Sequence, residues 1–292
     1  MRDRFFLGPV SVEIRSLGHH SLWPLWENCL DPFRGRAEDV ESLSLRIDNA
    51  FGDLPADDGQ LVSEDVSGLF RIRTYILPSG EFLLKYVRAK NNDPYLVLWM
   101  NAEASVIRLL QDKTGTAGAM AFSMVGRLIP TVMLKHDAIT FHGVLMEHEG
   151  RGIIVSAPSG TGKTTHARLW RDHRRALILN GDRTTCCVRN GRWIGFSLPW
   201  CGSSGECVNR DVPLTAYVVL EQAGENTAER LSGLEAFGAV MPNLVYPNWD
   251  RELTGKSLDF MDDFLQKVPV FRLRCRPDVE AVETLEAALR EL

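Results

Sequence analysis

Hydrophobic and polar positions alternate over short stretches in the first third of the chain. VSVEIRS at 10–16 and LSLRID at 43–48 alternate with a period of two residues, which is typical of strands with one buried face. GLFRIRTYILPSGEFLLKYVR at 68–88 predicts a hairpin that turns at its Pro-Ser-Gly sequence. The mostly apolar segment around 95–110 predicts a helix. We therefore expect a smaller, mainly β (α+β) domain at the start of the chain.

A polar connection, QDKTGTAG at 111–118, follows this region and predicts a domain boundary. We expect one domain over 1–115 and a second over 116–292. The apolar segment at 117–134 is interrupted by an arginine and a proline, whereas a membrane span needs roughly 20 mostly apolar residues. A buried helix followed by a strand is therefore expected there, and no membrane partner.

Strands and helices alternate in the second region. AITFHGVLMEHEGRGIIVSA at 138–157 predicts two strands around a Glu-Gly turn, and the Asn-Gly pair in TTCCVRNGRWIGF suits a type I′ hairpin. Ser232 and Glu235 fit a capping box that opens a helix. Further strands are predicted at 176–180, 214–222 and 268–275, and further helices at 163–172 and from residue 277. This succession predicts an α/β domain with a mixed sheet and hairpins.

Composition narrows the classes of function. The chain has 292 residues, of which 45% are hydrophobic and 24% are charged, as in an ordinary globular protein. Its formal net charge is −5 and it has no block rich in Lys and Arg, so we expect no nucleic-acid partner. The first residues contain no long apolar stretch, so no signal peptide is expected. The 6 cysteines lack C-x-x-C spacing, which favours reduced thiols in a cytoplasmic protein over a zinc site.

APSGTGKTT at 157–165 matches the phosphate-loop pattern G-x-x-x-x-G-K-[ST], except that Ala157 replaces the first glycine. An apolar strand is predicted before it and a helix after it, as the motif requires. Gly160 and Gly162 let successive N–H groups point at phosphate oxygens, and the helix N-terminus adds partial positive charge. Lys163 would reach the β- and γ-phosphates and the Thr164 hydroxyl would bind Mg²⁺. The expected nucleotide contacts are Ser159, Gly160, Thr161, Gly162, Lys163, Thr164 and Thr165.

Asp182 follows the predicted strand ALILN, at a strand end where a carboxylate would lie near the loop. Phosphoryl transfer needs Mg²⁺ to be held and the acceptor hydroxyl to be oriented or deprotonated, and Asp182 could do either. The alternative is a turn aspartate, because Asn, Gly and Asp favour turns. His142 lies in the strand that leads towards the loop, where a lone histidine is usually structural.

The segment 141–183, FHGVLMEHEGRGIIVSAPSGTGKTTHARLWRDHRRALILNGDR, resembles the catalytic domain of the HPr serine kinase family. SGTGKTT at 159–165 also resembles the loop of phosphoenolpyruvate carboxykinases, which share that fold. LPWCG and PLTAYVVLEQA extend a weaker resemblance to smaller kinases of modified-peptide pathways, including lasso-peptide serine kinases. The resemblance implies a P-loop kinase domain that uses ATP or another NTP with Mg²⁺. It also implies that Lys163 and Thr164 bind phosphate and Mg²⁺ and that His142 belongs to the active site.

Two residues depart from the family pattern. Gly181 stands where the family has the first of two aspartates, which leaves Asp182, and Thr165 stands where HPr kinases have an acidic residue after the loop serine. Both differences argue against the reverse, phosphorolytic activity, and HPr itself is not the expected substrate. Asp182 is therefore expected to serve as base, metal ligand or both, and His142 is a candidate to share the base role.

We predict a Mg²⁺-dependent kinase that transfers the γ-phosphate of ATP or another NTP to a hydroxyl. A serine of a peptide or protein is the first choice of acceptor, and a small alcohol such as free serine is the second. A non-catalytic nucleotide-sensing module and a carboxykinase-type lyase are the alternatives. The domain over 1–115 has no assigned role, with substrate recognition as one candidate, and homo-oligomerisation stays open.

Overall fold

The computed structural model describes residues 2–15, 23–35, 43–48, 51–112 and 118–292. Its chain divides into two compact units, one formed by Met1–His136 with Pro247–Arg251 and the other by Asp137–Tyr246 with Glu252–Leu292. The boundary predicted between residues 115 and 116 lies outside the described residues, and the helix that follows belongs to the first unit. The functions predicted for the two domains stay predictions.

In the described residues of the first unit, eight strands form a mixed sheet in the order β1-β2-β3-β8-β7-β6-β5-β4. β2 and β8 each pair in parallel with β3, and the other pairs are antiparallel. The strands are β1 (Arg2–Leu7), β2 (Val10–Arg15), β3 (Leu45–Asp48), β4 (Gln60–Ser67), β5 (Phe70–Ile76), β6 (Phe82–Arg88), β7 (Pro94–Met100) and β8 (Val106–Asp112). The structure thus confirms the two early strands and the hairpin of β5 and β6.

The helix predicted around 95–110 is wrong, because this segment forms the antiparallel strands β7 and β8. Asn101 makes the turn between them, and its side-chain oxygen accepts hydrogen bonds from the backbone N–H groups of Ser105 and Val106 at 2.9 and 2.8 Å. β7 buries Leu96, Val97 and Leu98 in succession, so its sequence has no alternation. A continuous apolar run of this kind does not distinguish a buried strand from a helix.

Among the residues that the structure describes, this sheet is accompanied by the helices α1 (Trp23–Leu30) and α2 (Gly118–Lys135). α2 contacts α1 and β7, and the rings of Trp26 and Phe122 meet edge to face with centroids 5.5 Å apart. The predicted buried helix is confirmed and continues through Pro130, and the next strand begins after it, at Ala138. In the described part of the chain, no helix has both the length and the apolar character that crossing a membrane requires.

The second unit contains a mixed sheet of ten strands, with β12-β10-β11-β15-β14-β13-β9-β17 in order and β16 paired to β18 beside β15. Its strands are β9 (Ala138–His142), β10 (Val144–His148), β11 (Arg151–Ser156), β12 (Leu177–Asn180), β13 (Arg183–Arg189), β14 (Arg192–Phe196), β15 (Asp211–Gln222), β16 (Thr227–Leu231), β17 (Leu244–Val245) and β18 (Val270–Cys275). Its helices are α3 (Lys163–Arg174), α4 (Gly233–Val240), α5 (Arg251–Lys267) and α6 (Val279–Leu289).

The long strand β15 organises this sheet. Its first residues pair with β14, its last residues pair in parallel with β18, and β11 lies parallel on its other side. A buried cluster that includes Trp170 of α3 and Leu285 of α6 packs against residues of β10, β11, β15 and β18. Phe264 of α5 contacts the rings of Phe141 and Tyr217. The central strands are therefore buried by apolar side chains from these helices.

Most elements predicted for this unit are confirmed. The segment 138–157 forms three strands and not two, because the chain bends at Gly143 between β9 and β10. Asn190 and Gly191 join β13 and β14 with φ of 52° and 75°, as a type I′ turn requires. α4 begins after Ser232 as predicted, but the Ser232 side chain makes no capping hydrogen bond. Glu235 instead forms an ion pair with Arg272 at 2.7 Å, so the capping box is wrong.

Candidate functional site

The predicted phosphate loop connects β11 to α3, as the motif requires. Gly160 and Gly162 have φ of 81° and 114°, a region in which residues with a Cβ are strained. A Cβ on either glycine would have no neighbour within 4 Å, so the space beside both backbones is open. These two glycines therefore provide the backbone conformation and the open approach that a bound anion needs.

Ala157, the departure at the start of the motif, is fully buried and belongs to the core cluster of the second unit. Its φ lies outside the left-handed region that favours glycine. The methyl group therefore fits at this position and packs in the core below the loop.

Lys163 is the first residue of α3 and is 9% exposed. Its Nζ donates hydrogen bonds to the carbonyl oxygens of Ala157 at 2.7 Å and Pro158 at 3.3 Å, so the side chain folds back along the loop. Burial lowers the pKa of Lys163, and the charge of Asp182 opposes that shift. The ammonium group is thus partly desolvated, which strengthens its attraction for a phosphate oxygen.

Asp182 lies in a tight turn between β12 and β13 that Asn180 organises. Asn180 is fully buried, and its Oδ1 accepts hydrogen bonds from the N–H groups of Asp182 at 2.9 Å and Arg183 at 2.8 Å. Its Nδ2 donates to the carbonyl oxygen of Leu198 at 2.8 Å. The Asp182 carbonyl in turn accepts from Gly143 N–H at 2.8 Å. Hydrogen bonds to both the N–H and the carbonyl of Asp182 therefore fix the position of its backbone.

A second loop, Cys201–Cys207 with the sequence CGSSGEC, reaches the same turn; we call it the serine loop. The Gly181 N–H donates to the carbonyl oxygen of Glu206 at 3.0 Å, and the next residue pair, Asn180 and Cys207, forms a β-bridge. The Glu206 carboxylate also pairs with Arg171 of α3 at 2.9 Å. The serine loop is therefore attached both to the end of β12 and to the helix that follows the phosphate loop.

The serine loop packs directly on the aspartate turn. A Cβ on Gly202 would lie 2.8 Å from Cγ of Asp182, and Gly202 has φ of 65°. A Cβ on Gly181 would lie 1.9 Å from Oγ of Ser204. The space beside Gly181 is thus occupied by the Ser204 hydroxyl, and a side chain at Gly181 would need the loop to move.

These elements enclose a cavity of 310 Å³. Its lining residues are His142, Ser159, Gly160, Gly162, Lys163, Thr164, Thr165, Gly181, Asp182, Ser203 and Ser204. The structure thus brings together every predicted site residue except Thr161. Thr161 does not line the cavity, and its carbonyl oxygen accepts a hydrogen bond from Gln222 at 3.1 Å.

The charged groups of the cavity surround Asp182. Nδ1 of His142 lies 3.4 Å from its Oδ1, and Nε of Arg183 lies 3.7 Å from its Oδ2. Burial lowers the pKa of His142; Asp182 opposes this shift, while Lys163 and Arg183 add to it. The neutral imidazole is therefore favoured, and it can orient the carboxylate or accept a proton.

The cavity suits Mg²⁺ and a nucleoside phosphate by its chemistry. The Thr164 hydroxyl and the Asp182 carboxylate are hard oxygen donors of the kind that Mg²⁺ prefers, and both line the cavity. Lys163 and the open glycine backbone offer cationic and N–H contacts to phosphate oxygens on the same cavity. The residues present thus fit both groups.

Sequence reasoning missed the serine loop and the role of Asn180. CGSSGEC has the Gly and Ser content of a turn, but turn residues alone give no sign of which strand end they reach. In the sequence, Asn180 was recognised only as part of a turn.

A larger cavity of 530 Å³ lies between α4 and the end of α5, and none of the predicted site residues lines it.

Comparison with known proteins gives little further information. No protein-family model matches the chain, and no curated protein matches it. Among solved structures, the Hpr(Ser) kinase/phosphatase from Coxiella burnetii aligns with 52% of this chain and 96% of its own, at 12% sequence identity and a TM-score of 0.33. A similarity at this level shows neither the fold family nor the function, so both depend here on the residues of the chain itself.

Proposed function

We propose that the protein is a Mg²⁺-dependent phosphotransferase that moves the γ-phosphate of ATP, or of another NTP, to a hydroxyl group. The observation that supports this proposal best is the shared cavity. The phosphate loop, Lys163 and Thr164 line this cavity together with Asp182 and His142. A phosphate-binding surface that faces a carboxylate with a neighbouring imidazole has the groups that hydroxyl phosphorylation needs.

The residues have distinct roles in this reaction. The loop N–H groups and Lys163 hold the phosphates, and the partial positive charge of the α3 N-terminus adds to their attraction. The acceptor hydroxyl gives its proton to Asp182 as its oxygen bonds to the γ-phosphorus, and the nucleoside diphosphate leaves. His142 orients the Asp182 carboxylate through the 3.4 Å contact. When bound by Thr164 and Asp182, Mg²⁺ would neutralise charge on the phosphate oxygens.

The proposed acceptor is a serine of a peptide or protein, with a small alcohol such as free serine as the second choice. The polar side chains around Asp182, among them the hydroxyls of Ser203 and Thr165, suit a hydroxyl-bearing acceptor. Substrate recognition as the role of the domain predicted over 1–115 is part of the proposal.

The test measures transfer from ATP labelled in its γ-phosphate to a serine-containing peptide library and to free serine. Lys163→Ala and Asp182→Asn should each reduce transfer at least about a hundredfold, because one loses a phosphate contact and the other loses the proton acceptor. Lys267→Ala and Asp259→Asn, at exposed positions of the same charges, are the matched controls and should keep wild-type rates.

Equal transfer by the wild type and both site variants would contradict the mechanism.

The second candidate function is nucleotide sensing without chemistry. It is favoured by one observation, that the cavity lining in the described part of the chain contains a single carboxylate, Asp182. Calorimetry that shows ATP binding, together with no transfer to any acceptor of the panel, would select this candidate.

A further inference from the structure

The cavity contains a hydroxyl group that the proposed reaction does not use. Ser203 is the third residue of the serine loop, is exposed, and lines the cavity together with Lys163, Thr164 and Asp182. A Cβ on its neighbour Gly202 would lie 2.8 Å from Cγ of Asp182, and consecutive Cα atoms are about 3.8 Å apart. Ser203 therefore directly follows, in the chain, a residue that packs against the proposed proton acceptor.

The other serines of the cavity already have structural roles. The Ser204 hydroxyl donates to the carbonyl oxygen of Cys201 at 2.9 Å, accepts from the Glu206 N–H at 3.2 Å and fills the space beside Gly181. Ser159 belongs to the phosphate loop, whose backbone must follow the phosphates. Ser203 is thus the serine best placed to act as an acceptor.

The backbone on both sides of Ser203 permits movement. Gly202 and Gly205 have φ of 65° and 67°, and Ser203 and Ser204 lie between them. Glycine reaches alternative φ values at little cost, so a rotation at these two positions can change the direction of the Ser203 side chain. The last residue of the loop stays attached to β12 through the bridge between Asn180 and Cys207.

We propose that Ser203 is phosphorylated by the site that it lines, in the same molecule. This inference rests on the proposed phosphotransferase function. Oγ of Ser203 bonds to the γ-phosphorus of a bound nucleoside triphosphate, and its proton passes to the Asp182 carboxylate. The bond from that phosphorus to the bridging oxygen breaks, and the nucleoside diphosphate leaves.

Phosphorylation of Ser203 would hinder further turnover at the same site. A phosphate on Ser203 faces Lys163 and the N-terminus of α3, both of which attract negative charge. It would therefore compete with the terminal phosphate of the next nucleotide for the same contacts. We expect self-labelling to reach one equivalent and to slow transfer to external acceptors.

The experiment incubates the purified full chain with Mg²⁺ and γ-labelled ATP and follows intact mass, with fragmentation to find the labelled residue. The wild type should gain one phosphoryl group on Ser203. Ser203→Ala should gain none and Ser203→Thr should be labelled at the threonine, whereas Ser79→Ala, at an exposed turn serine, should label like the wild type. Label on a different residue, or equal label on Ser203→Ala, would overturn the proposal.

A second measurement tests whether the transfer stays within one molecule. The first-order rate constant of labelling should not change with protein concentration, and a size-tagged Lys163→Ala chain mixed with the wild type should stay unlabelled. Label on the tagged chain would show transfer between molecules and overturn the inference.

The same data separate this inference from the proposed function. An unlabelled wild type that still phosphorylates a peptide or free serine would refute self-phosphorylation and leave the phosphotransferase function standing. An unlabelled wild type that binds ATP but transfers phosphate to nothing would refute both.

Discussion

The phosphate loop and the serine loop both line the same cavity and each contains two glycines with positive φ, but the glycines have different structural roles. In the phosphate loop, Gly160 and Gly162 have positive φ and open space beside them. In the serine loop, Gly202 and Gly205 also have positive φ, but Gly202 lies against the side chain of Asp182. The first pair leaves room for a ligand, and Gly202 allows the close approach of a second segment.

This difference explains why only one loop is visible in the sequence. The phosphate loop has a local function, so its strand, glycines, lysine and helix follow one another and form a motif. The serine loop acts on a turn about twenty residues earlier in the chain, and its glycine is required by that distant neighbour. Four predictions test the two loops and the elements that hold them in place.

Adding a methyl group to each loop should separate the two functions. Gly202→Ala should reduce transfer about a hundredfold with ATP affinity nearly unchanged, because the new Cβ would displace Asp182. Gly160→Ala should weaken ATP binding about tenfold, because its φ of 81° is strained for alanine. Transfer is measured with γ-labelled ATP on the best acceptor of the panel, and affinity by calorimetry. A comparable loss of affinity in both variants would remove the distinction.

Asn180 supports the turn on which the serine loop rests. Asn180→Ala should lower the free energy of unfolding by about 2 kcal/mol, since it leaves the buried partners at 182, 183 and 198 without their hydrogen bonds. Chemical denaturation measures this change. Asn180→Asp keeps the Oδ1 acceptor and should recover more transfer activity than stability, because the Asp182 backbone is held again. An Asn180→Ala variant as stable as the wild type would show that the turn does not depend on the hydrogen bonds of the Asn180 side chain.

The helix behind the phosphate loop should be sensitive to acid. Burial lowers the pKa of His166 to about 4, and its Nε2 accepts a hydrogen bond from Trp170 Nε1 at 3.0 Å. The unfolded chain binds this proton near the ordinary histidine pKa of 6.5, whereas the folded chain does not until about pH 4. Stability is therefore full above pH 6.5 and falls by about 1.4 kcal/mol per pH unit down to about pH 4.

His166→Gln removes this titration and keeps an acceptor for Trp170. The difference in unfolding free energy between wild type and variant, measured from pH 7 to pH 4.5, isolates the contribution of His166 from that of other titrating groups. Parallel curves for the two proteins would contradict the assigned pKa.

The smallest effect is expected where the serine loop meets α3. Glu206→Gln weakens the ion pairs with Arg171 and Arg168, which are partly exposed at the surface of the helix. Exposed pairs of this kind contribute little to stability, so the thermal midpoint should fall only slightly and less in high salt. A fall as large as that of the Asn180→Ala variant would mean that the serine loop depends on this contact more than on its backbone bonds.

Local patterns predicted much of the fold. The hairpins of β5–β6 and β13–β14 and the helices α2, α3 and α6 were readable, because their turns, caps and periodicities are local. α5 was not predicted, although Leu253, Met261 and Phe264 lie on one buried face, because Gly255 and buried Ser257 interrupt the pattern. Ser257 is accommodated by donating to the carbonyl oxygen of Leu253 at 2.8 Å, a bond that sequence alone does not reveal.

The site was predicted where it follows the chain and missed where it depends on tertiary contacts. Lys163, Thr164 and Asp182 were identified from a motif and a strand end, and the structure places them on one cavity. Their proposed chemical roles stay predictions. Asn180, Gly202 and Ser203 could not be identified, because their importance arises from packing between segments about twenty residues apart.

The attachment of the serine loop has a consequence for solubility. β12 is an end strand of the ten-stranded sheet, and the loop pairs with it through the bridge of Asn180 and Cys207 and the bond from Val208 N–H to the Leu179 carbonyl at 2.9 Å. Unpaired strand edges recruit strands from other molecules and lead to aggregation. The loop that packs on the aspartate turn therefore also protects a sheet edge, and a variant that lacked this loop would expose a template for self-association.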